Sequence, residues 1–216
     1  MKIMISNIIM NPIKYPRTSH LPWSQGVTSD DKLIQTLDTF VGRNVIVTEK
    51  MDGENTTMYS DHIHARSLDS KGGEDRAWVK NFWSTIKHNI PENYRICGEN
   101  LWAKHSIHYT QLNSYFYGFS VWNDNTCLSW EDTQLFFDEL GIVSVPVLYS
   151  GVWDHNRIKE LSDHLDLHKQ EGYVVRLADE FSYDYFSTSV AKFVRESHVT
   201  SDNHWRQSII IPNLMI

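Results

Sequence analysis

The apolar positions along this chain fall into two rhythms that alternate irregularly. Short runs rich in β-branched and aromatic residues read as strands: RNVIVTEK (43–50), YRICGEN (94–100), SYFYGFSVW (114–122), VPVLYSG (145–151), EGYVVRLA (171–178) and STSVAKFVR (187–195). TTMYSDHIHARS (56–67) reads as a hairpin turned at Ser60 and Asp61, residue types that favour tight turns. Between these runs, apolar residues recur three or four apart. SDDKLIQTLDTFVG (29–42) sets Leu33, Leu37 and Phe40 near one face, with Ser29 or Asp30 as a cap and Gly42 as a stop, and so predicts a first helix. A second is predicted from about Asp75 to His88, carrying Trp78, Phe82 and Ile86. A third opens on Ser129 with Asp132 three residues on and closes at Gly141, and a fourth takes Asp154 as its cap. Residues 13–28, 67–75, 101–112 and the tail from Glu196 are polar or rich in turn formers and read as irregular.

Strands outnumber helices, one pair is a hairpin, and no strict alternation of strand and helix appears. The pattern therefore favours a mixed α+β domain on a largely antiparallel sheet over a Rossmann unit. No repeat and no long linker calls for a second domain, so residues 1–216 read as one.

Composition narrows the function classes. With 20 basic and 27 acidic residues the formal charge is −7, which argues against a broad basic surface coating nucleic acid but leaves room for a local basic groove. Cys97 and Cys127 are too few for a disulfide framework or a four-cysteine zinc site and fit a reducing cytoplasm, with a single disulfide left open. The apolar N-terminus is broken by Ser6, Asn7, Asn11 and Pro12 and lacks a cleavage signal, so it reads as a strand or packing arm, and no apolar run is long enough to span a membrane. The paired histidines of HIH and HSIH, with His198 and His204, have no zinc-site spacing.

The candidate chemistry sits at strand ends. Lys50, Arg66, Glu99, Glu171 and Lys192 each stand against an apolar β-prone run. Any one of them alone reads as a solvated edge residue. Together they are a set that a sheet can gather into one cleft, where amines and carboxylates face a phosphate and a metal.

These residues fall in motifs: EKMDGEN (49–55), HARS with Arg66, GEN with Glu99, FYGFSVW with Phe119, EGYVV with Glu171, and VAKFVR with Lys192. In that order, over roughly Val47 to Arg195, they resemble the RNA ligase family of the covalent nucleotidyltransferases, the superfamily that also holds DNA ligases and mRNA capping enzymes. The resemblance implies an ATP-grasp-like ligase adenylation fold, with ATP and Mg²⁺ or Mn²⁺ as cofactors. The partner it implies is RNA with 5′-phosphate and 3′-hydroxyl ends.

It also implies roles. Lys50 would be the nucleophile on the α-phosphorus of ATP, with Asp52, Glu171 and Lys192 completing the catalytic set. Burial, nearby cations or a metal would have to favour its neutral amine. Asp52 would fix the turn or orient Lys50, Gly53 would let backbone approach the nucleotide, and Glu49 would help recognise adenine through the adjacent backbone. Asn55 would touch the RNA end or a phosphate, and Arg66 would hold phosphate or ribose oxygens with its planar fork. Glu99 would take a ribose hydroxyl or help at the metal, and Glu171 would place the metal. Phe119 would stack on the base, Tyr117 and Trp122 being core or rim residues. Lys192 would neutralise the α-phosphate, with Arg195 assisting it or following the RNA, and Trp205 and Arg206 are further candidates to touch a base or phosphate.

The fifth motif departs from the family's paired lysines, since Lys192 is followed by Phe193, Val194 and then Arg195. The chain also runs only about twenty residues past that motif, so an appended oligonucleotide-binding domain is not expected, and RNA would be sealed either by a minimal catalytic domain or with a protein partner that supplies grip on the substrate. The expected activity is ATP-dependent RNA ligation through lysyl-AMP and RNA-adenylate. Alternatives are a DNA ligase, a GTP-using capping enzyme, or a nucleotide- or RNA-binding subunit without catalysis.

Overall fold

A computed structural model describes residues 12–68, 73–166, 168–196 and 210–216. The packing arm expected at 1–11, part of the glycine-rich loop (69–72) and the tail residues His198, His204, Trp205 and Arg206 lie outside the described residues.

The elements run β1 (Ser19–His20), β2 (Asn44–Lys50), β3 (Glu54–Met58), β4 (Ile63–Ala65), α1 (Ala77–Ile86), β5 (Tyr94–Asn100), β6 (Phe116–Asn123) and β7 (Thr126–Cys127). There follow α2 (Trp130–Leu140), β8 (Val143–Ser144), β9 (Val147–Val152), α3 (His155–His164), β10 (Gly172–Leu177), β11 (Phe181–Ser182), α4 (Phe186–Ser189) and β12 (Val190–Val194). They build two sheets, β1-β12-β10-β2-β9 and β11-β7-β6-β5-β3-β4, with β8 added beside β6. Every pairing is antiparallel except β1 with β12 and β6 with β8, so the fold is the mixed, mostly antiparallel α+β class that the strand pattern implied.

Val45, Val47, Tyr173, Val175 and Phe193 of the first sheet form one buried cluster with Cys97, Trp122 and Cys127 of the second. A separate cluster joins Met58, Ile96, Phe116 and Val121 of the second sheet to Val79 and Ile86 of α1 and Phe137 of α2. Helices α2 and α3 form where their caps say they should. Ser129 Oγ accepts from the Asp132 amide at 3.1 Å, Gly141 closes α2 in the left-handed region at φ 65°, and Asp154 accepts from the Arg157 amide at 3.0 Å.

The helix expected over 29–42 does not form. β1 takes the backbone groups it would have used: His20 N–H donates to the Lys32 carbonyl at 2.7 Å and Ile34 N–H to the His20 carbonyl at 2.8 Å. Thr36 Oγ1 also accepts from the Asp38 amide, a local bond that competes with helix. Leu33 is left exposed while Ile34 and Phe40 are buried, so the segment packs as an irregular wrap. The last strand likewise starts at Val190, later than expected, because Phe186–Ser189 closes a helical turn. Both cysteines are buried and free, with no disulfide between them. No helix among the described residues is long and apolar enough to cross a membrane.

Candidate active site

Lys50 ends β2 at the edge of a cavity of about 640 Å³ to which strands of both sheets contribute. Its backbone is held opposite Gly172, which places Glu171 one step beyond the pairing. Lys50 Nζ donates to Glu171 Oε2 in a close ion pair. Glu171 is only 2% exposed and does not itself line the cavity, whereas its lysine partner does. Gly172 lets β10 lie close against β12, since a Cβ there would strike the Phe193 carbonyl.

On the second sheet, β3 and β5 pair with Asn55 opposite Glu99, and both side chains face the cavity. Glu99 Oε1 accepts from the Gly53 amide at 3.2 Å, tying the turn after Lys50 to β5. Gly53 is required by its neighbour, because a Cβ would meet the Asn100 carbonyl. Asn55 Oδ1 and Arg66 Nε are buried without hydrogen-bond partners among the described residues, so both present polar atoms that a ligand can satisfy. Glu49 lines the cavity and accepts from Gln170 Nε2 at 2.9 Å, and burial raises its pKa.

Phe119 reaches the cavity because β6 carries a bulge. Cys97 pairs with Ser120 and Gly98 with Gly118, which leaves Phe119 without an opposite residue, and Phe119 and Ser120 both line the cavity. Trp122 and Tyr117 are core, as read from the sequence. Lys192 lines the same cavity from β12, together with Val190 two residues earlier.

Besides Glu171, two expected site residues lie outside the cavity lining. Asp52 does not line the cavity; its Oδ2 accepts from the Ser106 amide at 2.8 Å, the Ser106 hydroxyl at 2.7 Å and the Ile107 amide at 2.9 Å. It fixes the turn by tying it to the 101–112 loop. Arg195 also lies outside the lining; it follows the last residue of β12, three positions past Lys192, and its amide donates to the Glu171 carbonyl at 3.0 Å. It therefore does not stand in for a second lysine beside Lys192. Conversely, Tyr15, Arg17, Asp31 and Arg176 line the cavity although no motif pointed to them, as does His105, whose HSIH motif lacks zinc-site spacing. Arg176 was within reach of the pattern, two residues beyond Val174 on the same strand face; Tyr15, Arg17 and His105 come from stretches without a periodic signal, and Asp31 from one whose helical spacing misleads.

The electrostatics differ from a lysine poised as a neutral amine. Burial pulls the Lys50 pKa down, but Glu171, Glu99 and Asp52 outweigh it and hold it above the ordinary lysine value. Glu99 is pushed up to about 8, chiefly by burial, with Lys50 opposing and Glu171 adding to the rise. Lys192 is lowered by burial and by the charge of Lys50. The site thus holds Lys50 paired to Glu171, with Glu99 near enough that the two carboxyl groups disfavour each other's ionisation. Two hard oxygen donors of that kind fit a divalent ion supplemented by phosphate oxygens. Among the described residues no group of three or more His, Cys, Asp or Glu forms a metal cage without such help.

A sequence model of a family described as RNA ligase matches residues 43–194. No curated protein matches the chain. Among solved structures, the fold is similar to a putative ATP-dependent DNA ligase from Aquifex aeolicus (19% identity, TM-score 0.59, 84% of this chain and 50% of that chain). It is also similar to a variant of the Naegleria gruberi RNA ligase with ATP and Mn (17%, 0.54, 88% and 62%) and to an archaeal ATP-dependent RNA ligase (14%, 0.57, 84% and 48%). The chain thus spans between 48% and 62% of the length of these structures.

Proposed function

The chain belongs to the RNA ligase family, and from that premise we propose that it is an ATP-dependent RNA ligase built on the ligase adenylation fold. Lys50 attacks the α-phosphorus of ATP; a P–N bond forms, the P–O bond to pyrophosphate breaks, and lysyl-AMP remains. AMP then passes to an RNA 5′-phosphate, and an RNA 3′-hydroxyl displaces it to seal the strand.

The observation that carries this reading is the convergence of Lys50, Glu99, Arg66, Phe119 and Lys192 on one cavity, with Glu171 behind the lysine. Phe119 offers a face for the base, Arg66 and Lys192 offer cations to the phosphates, and Glu171 is the nearest acceptor for the proton Lys50 must lose. Glu171 and Glu99 would hold Mg²⁺ or Mn²⁺, which would neutralise phosphate charge. Asp52 supports the turn from outside the cavity, and Asn55 presents an unpaired carbonyl oxygen toward the substrate. All of these groups come from one pair of packed sheets, which supports reading the chain as a single adenylyltransferase domain.

Mass spectrometry after incubation with ATP and Mg²⁺ or Mn²⁺ tests the proposal. The wild-type chain gains one AMP and Lys50→Ala gains none; a folded wild-type chain that never gains AMP sinks it. The likeness to a putative DNA ligase keeps nick sealing in DNA as a second reading. Parallel transfer assays with 5′-phosphorylated RNA and DNA decide between them, and transfer to DNA alone would reject RNA.

A further inference from the structure

We propose that Asp31, which precedes the region matched by the family, is a positioning residue that aims Lys192 into the cavity during adenylyl transfer. The inference rests on the ligase reading above. It starts from the unexpected use of residues 19–34. β1 pairs in parallel with β12, with Ser19 opposite Ala191 and His20 opposite Lys192, and the Leu21 amide donates to the Lys192 carbonyl at 2.7 Å. The chain then loops back against β1 through the His20–Lys32 and His20–Ile34 backbone bonds, which brings Asp31 to the cavity wall beside Lys192.

The Asp31 carboxylate is fixed on one side and open on the other. Its Oδ2 accepts from the Thr28 amide at 3.1 Å and the Thr28 hydroxyl at 2.8 Å. Its Oδ1 faces Lys192 Nζ at 3.8 Å and His20 Nε2 at 3.4 Å. His20 is buried, shares its Nδ1 with Ser24 Oγ at 2.7 Å, and has its pKa lowered by burial and then by Lys192, so it stays neutral and leaves the carboxylate charge to the lysine. The other charged groups acting on Lys192 are Lys50, Glu171 and Arg66. Two of those three are cations. Among the described residues Asp31 makes the one ion pair to Lys192, and it holds an ammonium that Lys50 and Arg66 would otherwise drive out of the phosphate position.

A double-mutant cycle read by single-turnover adenylate formation tests this. Asp31→Asn keeps an acceptor for Thr28 while removing the charge. It should lower the maximal rate about tenfold and leave half-saturating ATP within about twofold, as expected for an interaction felt mainly in the transition state. Asp31→Glu should recover most of the rate. In a Lys192→Met background Asp31→Asn should have no further effect; an equal loss in both backgrounds means that Asp31 acts on the fold alone and overturns the proposal. A second readout needs no catalysis. In the nucleotide-free chain the side-chain ammonium resonance of Lys192 should shift on Asp31→Asn, and an unmoved resonance also overturns the proposal. A wild-type chain that forms no adenylate counts against the ligase reading instead, and the resonance comparison then decides Asp31.

Discussion

Replacing Asp52 by alanine separates two roles that its place beside the nucleophile allows. The carboxylate is 5% exposed, and one oxygen takes three hydrogen bonds of 2.7 to 2.9 Å from Ser106 and Ile107. A hydrogen bond to a charged acceptor contributes roughly 1.5–3 kcal/mol, and each buried N–H left without a partner costs about 1–3 kcal/mol. The three bonds share one oxygen, so their values overlap, and Asp52→Ala should lose roughly 3–5 kcal/mol in all. That is a large part of the roughly 5–15 kcal/mol expected for a whole domain. In urea at pH 7, with a slope of about 2.5 kcal/mol per M, the unfolding midpoint should fall by about 1.5 M. Asp52→Asn keeps an acceptor and should lose about half as much. Adenylate formation by the folded fraction should survive at a reduced rate, because the 101–112 loop is loosened while Lys50, Glu171 and Lys192 remain. An Asp52→Ala chain that unfolds at the wild-type midpoint yet forms no adenylate would refute the reasoning and place Asp52 on the reacting groups.

The raised Glu99 pKa gives a pH test in the metal-free protein. The carboxyl rises from 4.5 unfolded to about 8 folded, so its contribution is fully present below pH 4.5 and is lost as pH climbs to about 8. The ceiling on that loss is on the order of 5 kcal/mol. Glu99→Gln should flatten the fall in urea stability between pH 5 and 9, and an unchanged pH profile would count against a buried, protonated Glu99. Gly172→Ala should lower stability by about 2–3 kcal/mol, a melting shift of about 6–10 °C, because its Cβ meets backbone of β12 that cannot turn aside. A wild-type melting temperature would show that β10 and β12 are not so closely apposed.

The amino-acid sequence by itself determined the elements whose signals are local. Ser129 and Gly141 bound α2, Asp154 caps α3, and the β-prone runs at 44–50, 94–100, 116–123 and 172–177 are strands, because caps and apolar runs act over a few residues. It also determined the motif order; Lys50, Glu99 and Glu171 fall at or beside strand ends as expected, whereas Phe119 and Lys192 lie within β6 and β12. Only the tertiary structure decided which charges meet. The Lys50–Glu171 pair spans 121 residues and depends on the register of β10 against β2 and β12. The bulge at Phe119 arises from how β6 pairs with β5, and no periodicity announces it. At 29–42 a helical spacing lost to partners outside the segment, because β1 took backbone bonds that a helix would have made with itself, and that same contest delivered Asp31 to Lys192. Local propensity is worth tenths of a kcal/mol per residue, whereas burial of Ile34 and Phe40 against a sheet is worth a few kcal/mol each, so the longer-range term prevailed.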